Sequence, residues 1–158
     1  MVVYTDGSFS KKVSMTAAGY AAIIVTEETD EAFVVDIVYG KNTDPQYTAM
    51  WNVGGELWAA LVAVNYAKEF SPKDIDLYYD YAGVEHWVTK RWQAKNPITQ
   101  AYGRHMRSFQ KEIPIRFHQV RGHTGVQLNE LADEYAKKGL LCKDSTPQYM
   151  TGIKILKK

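Results

Sequence analysis

The sequence predicts a single α/β domain in which helices pack against a mixed β-sheet. Three observations carry that reading. The opening stretch to Tyr39 holds three β-type segments and no helical one. From Val53 onward, helical and strand-like segments alternate. Hydrophobic residues make up 46% of the 158 residues, enough to bury one core. Strands first and alternation afterwards imply a sheet with parallel and antiparallel parts, covered by helices.

Val2–Thr5, roughly Ala18–Val25, and Ala32–Tyr39 combine β-branched and aromatic residues and read as strands. The polar Glu27-Glu28-Thr29-Asp30 turn makes a hairpin of the second and third. Asn42 to Tyr47 is a loop broken by Asp44-Pro45. Val53 to Phe70 has helical periodicity, with Leu57, Ala60, Leu61, Val64 and Ala67 on one stripe. Asn52 serves as its N-cap and Ser71-Pro72 as its stop. Ile75 to Tyr79 reads as a strand and Ala82 to about Trp92 as a helix. Asn96-Pro97 supplies a cap and a first-turn proline for a helix to about Lys111. Ile115 to Val120 is a further strand. Beyond the Gly122–Gly125 loop, a last helix runs from about Gln127 to Lys138 and stops at Gly139. The order is βββαβααβα. It places a domain at residues 1–140 and a tail at 141–158, whose Tyr149-Met150 and Ile153 to Leu156 patches the sequence leaves without a position.

Composition excludes several classes. A charged fraction of 23% beside 46% hydrophobic residues is globular rather than disordered. The longest apolar runs, such as Ala21 to Val25, cannot span a membrane. No leader precedes Val2-Val3-Tyr4-Thr5, and with the first strand starting there no further module is expected ahead of it. The lone Cys142 fits a reducing cytoplasm. The net charge of +1 conceals an asymmetry: Lys90, Arg91, Lys95, Arg104, Arg107 and Lys111 give six cations and no acid between residues 90 and 111, which leaves the remainder at −5. A basic segment on an acidic body fits either a polyanion partner or a solvated helix face.

Four acids stand out by position. Asp6 follows the first strand in Tyr4-Thr5-Asp6-Gly7-Ser8. Glu56 is expected in the first turn of the long helix, after Gly54-Gly55, Asp80 ends the fourth strand, and Asp133 lies inside the last helix. Each has an ordinary explanation: an Asp-Gly turn, a helix-dipole acid, a helix cap, and a pair with Lys137 one turn on. Their joint placement favours a site instead. Asp6 and Asp80 end strands, where open α/β sheets put their ligand crevices, and the glycines clear space beside two of the acids. Four carboxylates in one crevice repel unless divalent cations neutralise them, and an all-oxygen set without a His/Cys cluster suits magnesium or manganese rather than zinc.

The segments Tyr4-Thr5-Asp6-Gly7-Ser8, Asn52-Val53-Gly54-Gly55-Glu56-Leu57, Tyr79-Asp80-Tyr81, and Gly122-His123-Thr124-Gly125 through Asn129-Glu130-Leu131-Ala132-Asp133 resemble type-1 ribonuclease H in motif, order and spacing. The likeness runs from about Met1 to Leu140. Tyr79 to Glu85 and the Trp87/Trp92 pair resemble bacterial members with a reduced basic protrusion. The resemblance implies the ribonuclease H-like fold, a five-stranded mixed sheet flanked by helices. It implies an endoribonuclease that cuts the RNA strand of RNA–DNA hybrids without sequence preference, leaving 5′-phosphate and 3′-hydroxyl ends. Asp6, Glu56, Asp80 and Asp133 match the metal-binding acids of a two-metal hydrolysis, in which two magnesium ions about 3.5–4 Å apart flank an in-line displacement. His123 matches a loop histidine that helps product release or shuttles a proton. Asn52 matches an asparagine contacting nucleic acid near the cut, and Gly7 and Ser8 match positions whose backbone approaches the RNA. Trp87, Lys90, Arg91, Trp92 and Lys95 are expected to face the DNA strand, and His118 is expected to be structural. A monomer is the default expectation, and the sequence shows no obligate protein partner.

One departure stands out. Many relatives carry a second asparagine where Val53 stands and an arginine near Trp51, so one nucleic-acid contact is missing or replaced. The rival readings are a junction resolvase or transposase-like core on the same fold, and a hybrid-binding module without catalysis. The glycine–histidine loop speaks against the first and the full set of acids against the second.

Overall fold

The computed structural model describes residues 1–121 and 126–158. Six strands form one sheet: β1 (Val2–Ser8), β2 (Ala18–Glu28), β3 (Ala32–Asn42), β4 (Ile75–Tyr79), β5 (Ile115–Gln119) and β6 (Gln148–Leu156). Their spatial order is β5-β4-β1-β2-β3-β6. β1, β2, β3 and β6 run antiparallel in turn, whereas β1, β4 and β5 are parallel. The helices are α1 (Pro45–Thr48), α2 (Asn52–Lys68), α3 (Gly83–His86), α4 (Pro97–Glu112) and α5 (Gln127–Leu140).

Strand alternation divides the core into two layers. Val3, Ala22, Ile24, Ile75, Leu77 and Tyr79 face α2 and α4, where they meet Leu57, Ala60, Val64, Tyr102 and Met106. Ile23, Val35 and Ile37 point the other way and pack against Leu128 and Ala132 of α5. The result is the expected mixed sheet between helices, with six strands where five were expected.

The sixth strand is the tail. β6 extends the β3 edge and adds Met150, Ile153 and Ile155 to the α5-side layer. A bulge interrupts the β3–β6 register between Val35 and Ile37. There Gly152, at φ +64°, donates its N–H to Asp36 Oδ1 at 2.9 Å, and the Tyr66 hydroxyl donates to Asp36 Oδ2 at 2.7 Å. Removing the carboxylate of buried Asp36 loses two hydrogen bonds made to a charged acceptor, at a cost of about 1–3 kcal/mol. Asp36→Ala is therefore expected to lower unfolding free energy in urea by that amount and to strip exchange protection from residues 148–156 before β1. Unchanged protection there would refute the pinning role.

Other expectations shift locally. The helix expected from Ala82 to Trp92 stops at His86. Lys90 turns left-handed (φ 64°) and Trp92 N–H closes the loop onto the His86 carbonyl at 3.1 Å. Asp44-Pro45, read as a loop breaker, instead caps and opens α1, with Asp44 Oδ1 accepting from Gln46 N–H at 2.9 Å. Asn52 is the first helical residue of α2, not its cap; Trp51 holds that place without a side-chain cap bond. Gly139 lies inside α5 and does not end it, because its missing Cβ is what lets the helix seat on Gly40 of β3. Asn96 caps α4 as expected, accepting from Thr99 N–H at 2.9 Å.

Candidate active site

Parallel register brings the first two acids level. Tyr4 of β1 pairs with Tyr78 of β4, and Asp6 and Asp80 each lie two residues beyond that pair on neighbouring strands. Asp6 belongs to β1 itself, opposite Ala21, and its Oδ1 accepts from Gly7 N–H at 2.9 Å. Asp80 caps no helix; its carbonyl accepts from Gln119 Nε2 at 3.0 Å. The third acid arrives because α2 crosses β1 on glycine. A Cβ at Gly7 would strike the Gly55 and Glu56 backbone, with Gly55 C at 2.6 Å, and one at Gly55 would lie 2.7 Å from the Gly19 carbonyl oxygen. That close approach lowers Glu56 onto Asp6. Glu56 is the fifth residue of α2, past its first turn, so the helix-dipole explanation for it loses force.

One carboxylate oxygen from each of Asp6, Glu56 and Asp80 lies within 4.8 Å of the others. Asp6 is 8% and Glu56 5% exposed, while Asp80 stands at the more open rim. Glu56 Oε2 is buried and has no hydrogen-bond partner among the described residues. Burial, opposed in part by the contact with Glu56 and reinforced by the charge of Asp133, pushes the Asp6 carboxyl up to about 6. Burial and then the charge of Asp6 raise Glu56 well above the carboxylate range. A buried, unpartnered, like-charged pair is what a divalent cation with hard oxygen ligands would relieve, so the donor set fits such an ion.

Asp133 comes from α5 on the other face of the sheet. It stands near enough to Asp6 to act on its charge, yet outside the three-acid group. Its Oδ2 pairs with Lys137 Nζ at 3.0 Å, as the ordinary explanation of this residue anticipated. His123 lies outside the described residues. Gly7 and Ser8 end β1 beside Asp6, and Asn52 is exposed at the start of α2. His118 accords with a structural part: it bonds Asp76 at 2.8 Å and stacks on Tyr78.

The expected nucleic-acid residues between 87 and 95 do not all share one surface. Trp87, half-buried, and Trp92, 38% exposed, meet edge to face at 5.4 Å, and both touch Tyr81. Burial and the charge of Glu56 raise the Tyr81 hydroxyl, so this aromatic cluster adjoins the acids. A groove of about 400 Å³ runs past Trp87, Lys90, Trp92, Gln100, Arg104 and Arg107. Arg91 and Lys95 are exposed nearby but do not line it. Arg104 and Arg107 were legible only as part of the basic run; their helical placement on α4 is what turns them into the groove, where Arg107 donates to the Trp87 and Val88 carbonyls.

Five of the strands, in the order β5-β4-β1-β2-β3 with helices on both faces, make up the ribonuclease H-like fold, to which β6 adds an edge. The likeness is visible in solved structures: the N-terminal RNase H domain from Mycobacterium tuberculosis, solved as a fusion with maltose-binding protein, matches with a TM-score of 0.70 at 17% identity over 88% of this chain and 91% of that one. LC11-RNase H1 in complex with an RNA/DNA hybrid matches with a TM-score of 0.60 at 17% identity, covering 88% and 98%. At such identities the likeness shows the fold alone. Sequence carries the family. The RNase H family profile matches residues 1–141, and the ribonuclease H of Agrobacterium fabrum is 30% identical over 149 residues, covering 87% of this chain and 92% of the relative. The chain belongs to the RNase H family and is a ribonuclease.

Proposed function

We propose that this ribonuclease hydrolyses the RNA strand of RNA–DNA hybrids as a sequence-independent endonuclease. Magnesium, or manganese in its place, would be held by Asp6, Glu56, Asp80 and Asp133. The observation that carries the reading is the buried Asp6–Glu56 pair, whose ionisation is costly without a cation beside it. The neighbour solved with an RNA/DNA hybrid supports the choice of substrate.

Divalent ions at such a site supply a polarised water for attack on phosphorus and stabilisation of the departing 3′-oxygen. The chain supplies the rest. Asp6 is grouped with Glu56 and Asp80 and feels the charge of Asp133, so it would be the ligand common to the set. Glu56 and Asp80 would hold an ion with it, and Asp133, on leaving its pair with Lys137, would add a further ligand. Glu56 and the Gly7 backbone would read the 2′-hydroxyl that distinguishes RNA from DNA. Ser8 and Asn52 flank the scissile phosphate, and His123 aids product release or shuttles a proton. Trp87, Lys90, Arg91, Trp92 and Lys95, joined by Arg104 and Arg107, hold the DNA strand through phosphates and sugars, contacts without sequence information. Among the described residues no helix is long and apolar enough to cross a membrane. We read the protein as a cytoplasmic monomer needing no protein partner.

Product ends test the chemistry. A hybrid with a 5′-labelled RNA strand should yield, with magnesium, fragments that a polymerase extends directly, and the downstream pieces should carry 5′-phosphates. Fragments ending in 3′-phosphate or cyclic phosphate would mean attack by the RNA's own 2′-hydroxyl and would refute the hydrolytic reading.

A further inference from the structure

Trp51 breaks three local rules at once. It sits at φ 57°, ψ −131°, a conformation that glycine tolerates and bulky residues rarely adopt. It occupies the N-cap of α2 without making a cap bond, where serine or asparagine would. It leaves 47% of its surface exposed. Residues that defy local preference with no gain in packing mark functional positions more often than structural ones.

Its surroundings say what it is for. Phe9 stacks on the indole, with centroids 5.6 Å apart and planes 24° from parallel. Lys11 Nζ lies 4.1 Å from the ring centroid. Both come from the β1–β2 loop, which carries Lys11 and Lys12 and no acid between Phe9 and Ala17. Phe9 is three residues of chain beyond Asp6, about 10 Å if extended. Trp51 precedes Glu56 by five residues, roughly 7.5 Å of helical rise. The ring, its aromatic support and its cation therefore stand within one or two nucleotides of the acids, apart from the Trp87–Trp92 groove.

We propose that Trp51, backed by Phe9 and Lys11, is a stacking platform for a nucleotide of the bound substrate duplex. The inference rests on the hybrid-ribonuclease reading above. An ammonium prefers a phosphate to a ring face, so Lys11 pairs with the backbone when substrate arrives and uncovers the indole for the adjoining sugar or base. The left-handed backbone at Trp51 is retained because it projects the ring outward from the end of α2.

Glycine separates stacking from stability, because it relaxes the backbone while deleting the ring. The measurement is the dissociation constant of a labelled RNA–DNA hybrid in EDTA, by fluorescence anisotropy, beside thermal melts of the free proteins. W51G should weaken hybrid binding about tenfold, the loss of one stacking contact, while its melting temperature stays equal to wild type or rises. W51F should bind within about threefold of wild type, since a ring remains to stack. K11Q should bind a few-fold more weakly and reduce the salt dependence by about one phosphate. Unchanged affinity in W51G would overturn the platform, and so would a drop in its melting temperature, which would make Trp51 a packing residue. Failure of the wild type to bind or cut hybrid would overturn the ribonuclease reading and the platform with it, and the wild-type arm distinguishes that case.

Discussion

Replacing Asp6 with asparagine should reduce hybrid cleavage by a factor on the order of 10³ or more while making the ion-free protein harder to melt. The two effects share one cause. Asp6 lies against Glu56 with little solvent, and its carboxyl rises from the ordinary 3.8 to about 6. At 1.36 kcal/mol per pH unit, that displacement holds about 3 kcal/mol of destabilisation at neutral pH. Asparagine deletes the charge, keeps the shape and offers an N–H to Glu56 Oε2, which has no partner among the described residues. For a chain of this size 3 kcal/mol corresponds to roughly 6–12 °C in melting temperature. Gain in stability with loss of activity is what a functional charge cluster yields. Parallel loss of both would make Asp6 a structural residue and would remove the basis for the proposed chemistry.

The second large effect is a pH dependence that divalent ions reverse. The folded-state pKa of Asp6 lies above its unfolded value, and that of Glu56 is displaced in the same direction. Between the unfolded and folded values, the native protein holds protons that the unfolded chain has released. The stability associated with these groups is therefore fully present below about 4 and is lost as pH rises through about 6. In EDTA, wild type should lose stability relative to Asp6→Asn between pH 4.5 and 7.5. Millimolar magnesium should restore it at pH 7.5 and do little at pH 4.5, since an ion that binds only the ionised native site stabilises by mass action. Cleavage should rise over the same interval as the pair ionises. Melting profiles that coincide with and without magnesium at pH 7.5 would show that no ion occupies the site.

Much of this was legible in the chain because local signals and tertiary structure agreed. Ile75–Tyr79 and the Asn96-capped α4 were read almost to the residue. The four acids could be picked out because each sits beside a strand end, a glycine pair or a helix turn. What escaped the sequence was decided at longer range. The tail became β6 because β3 offered an open edge and Asp36 a buried acceptor, neither visible in Gln148–Leu156 itself. Gly139 looked like a helix stop, since nothing local announces that Gly40 will press against it. Helical propensity in Ala82–Trp92 was overruled by the turn at Lys90, which folds Trp92 back toward His86 and Trp87. In the site, the order of the acids was readable, but the unequal burial of Asp6, Glu56 and Asp80 follows only from the crossing of α2 over Gly7. The strain at Trp51 has no sequence signature at all.

One assay bears most directly on the central claim that the Asp6–Glu56–Asp80 cluster hydrolyses the RNA of a hybrid. A single sequence is prepared as RNA–DNA hybrid, double-stranded RNA, double-stranded DNA and single-stranded RNA, each incubated with magnesium or EDTA beside the Asp6→Asn protein. Magnesium-dependent cutting of the hybrid's RNA strand alone, absent from the variant, is the predicted result. Cutting of DNA, cutting that survives EDTA, or cutting that persists in Asp6→Asn would contradict it.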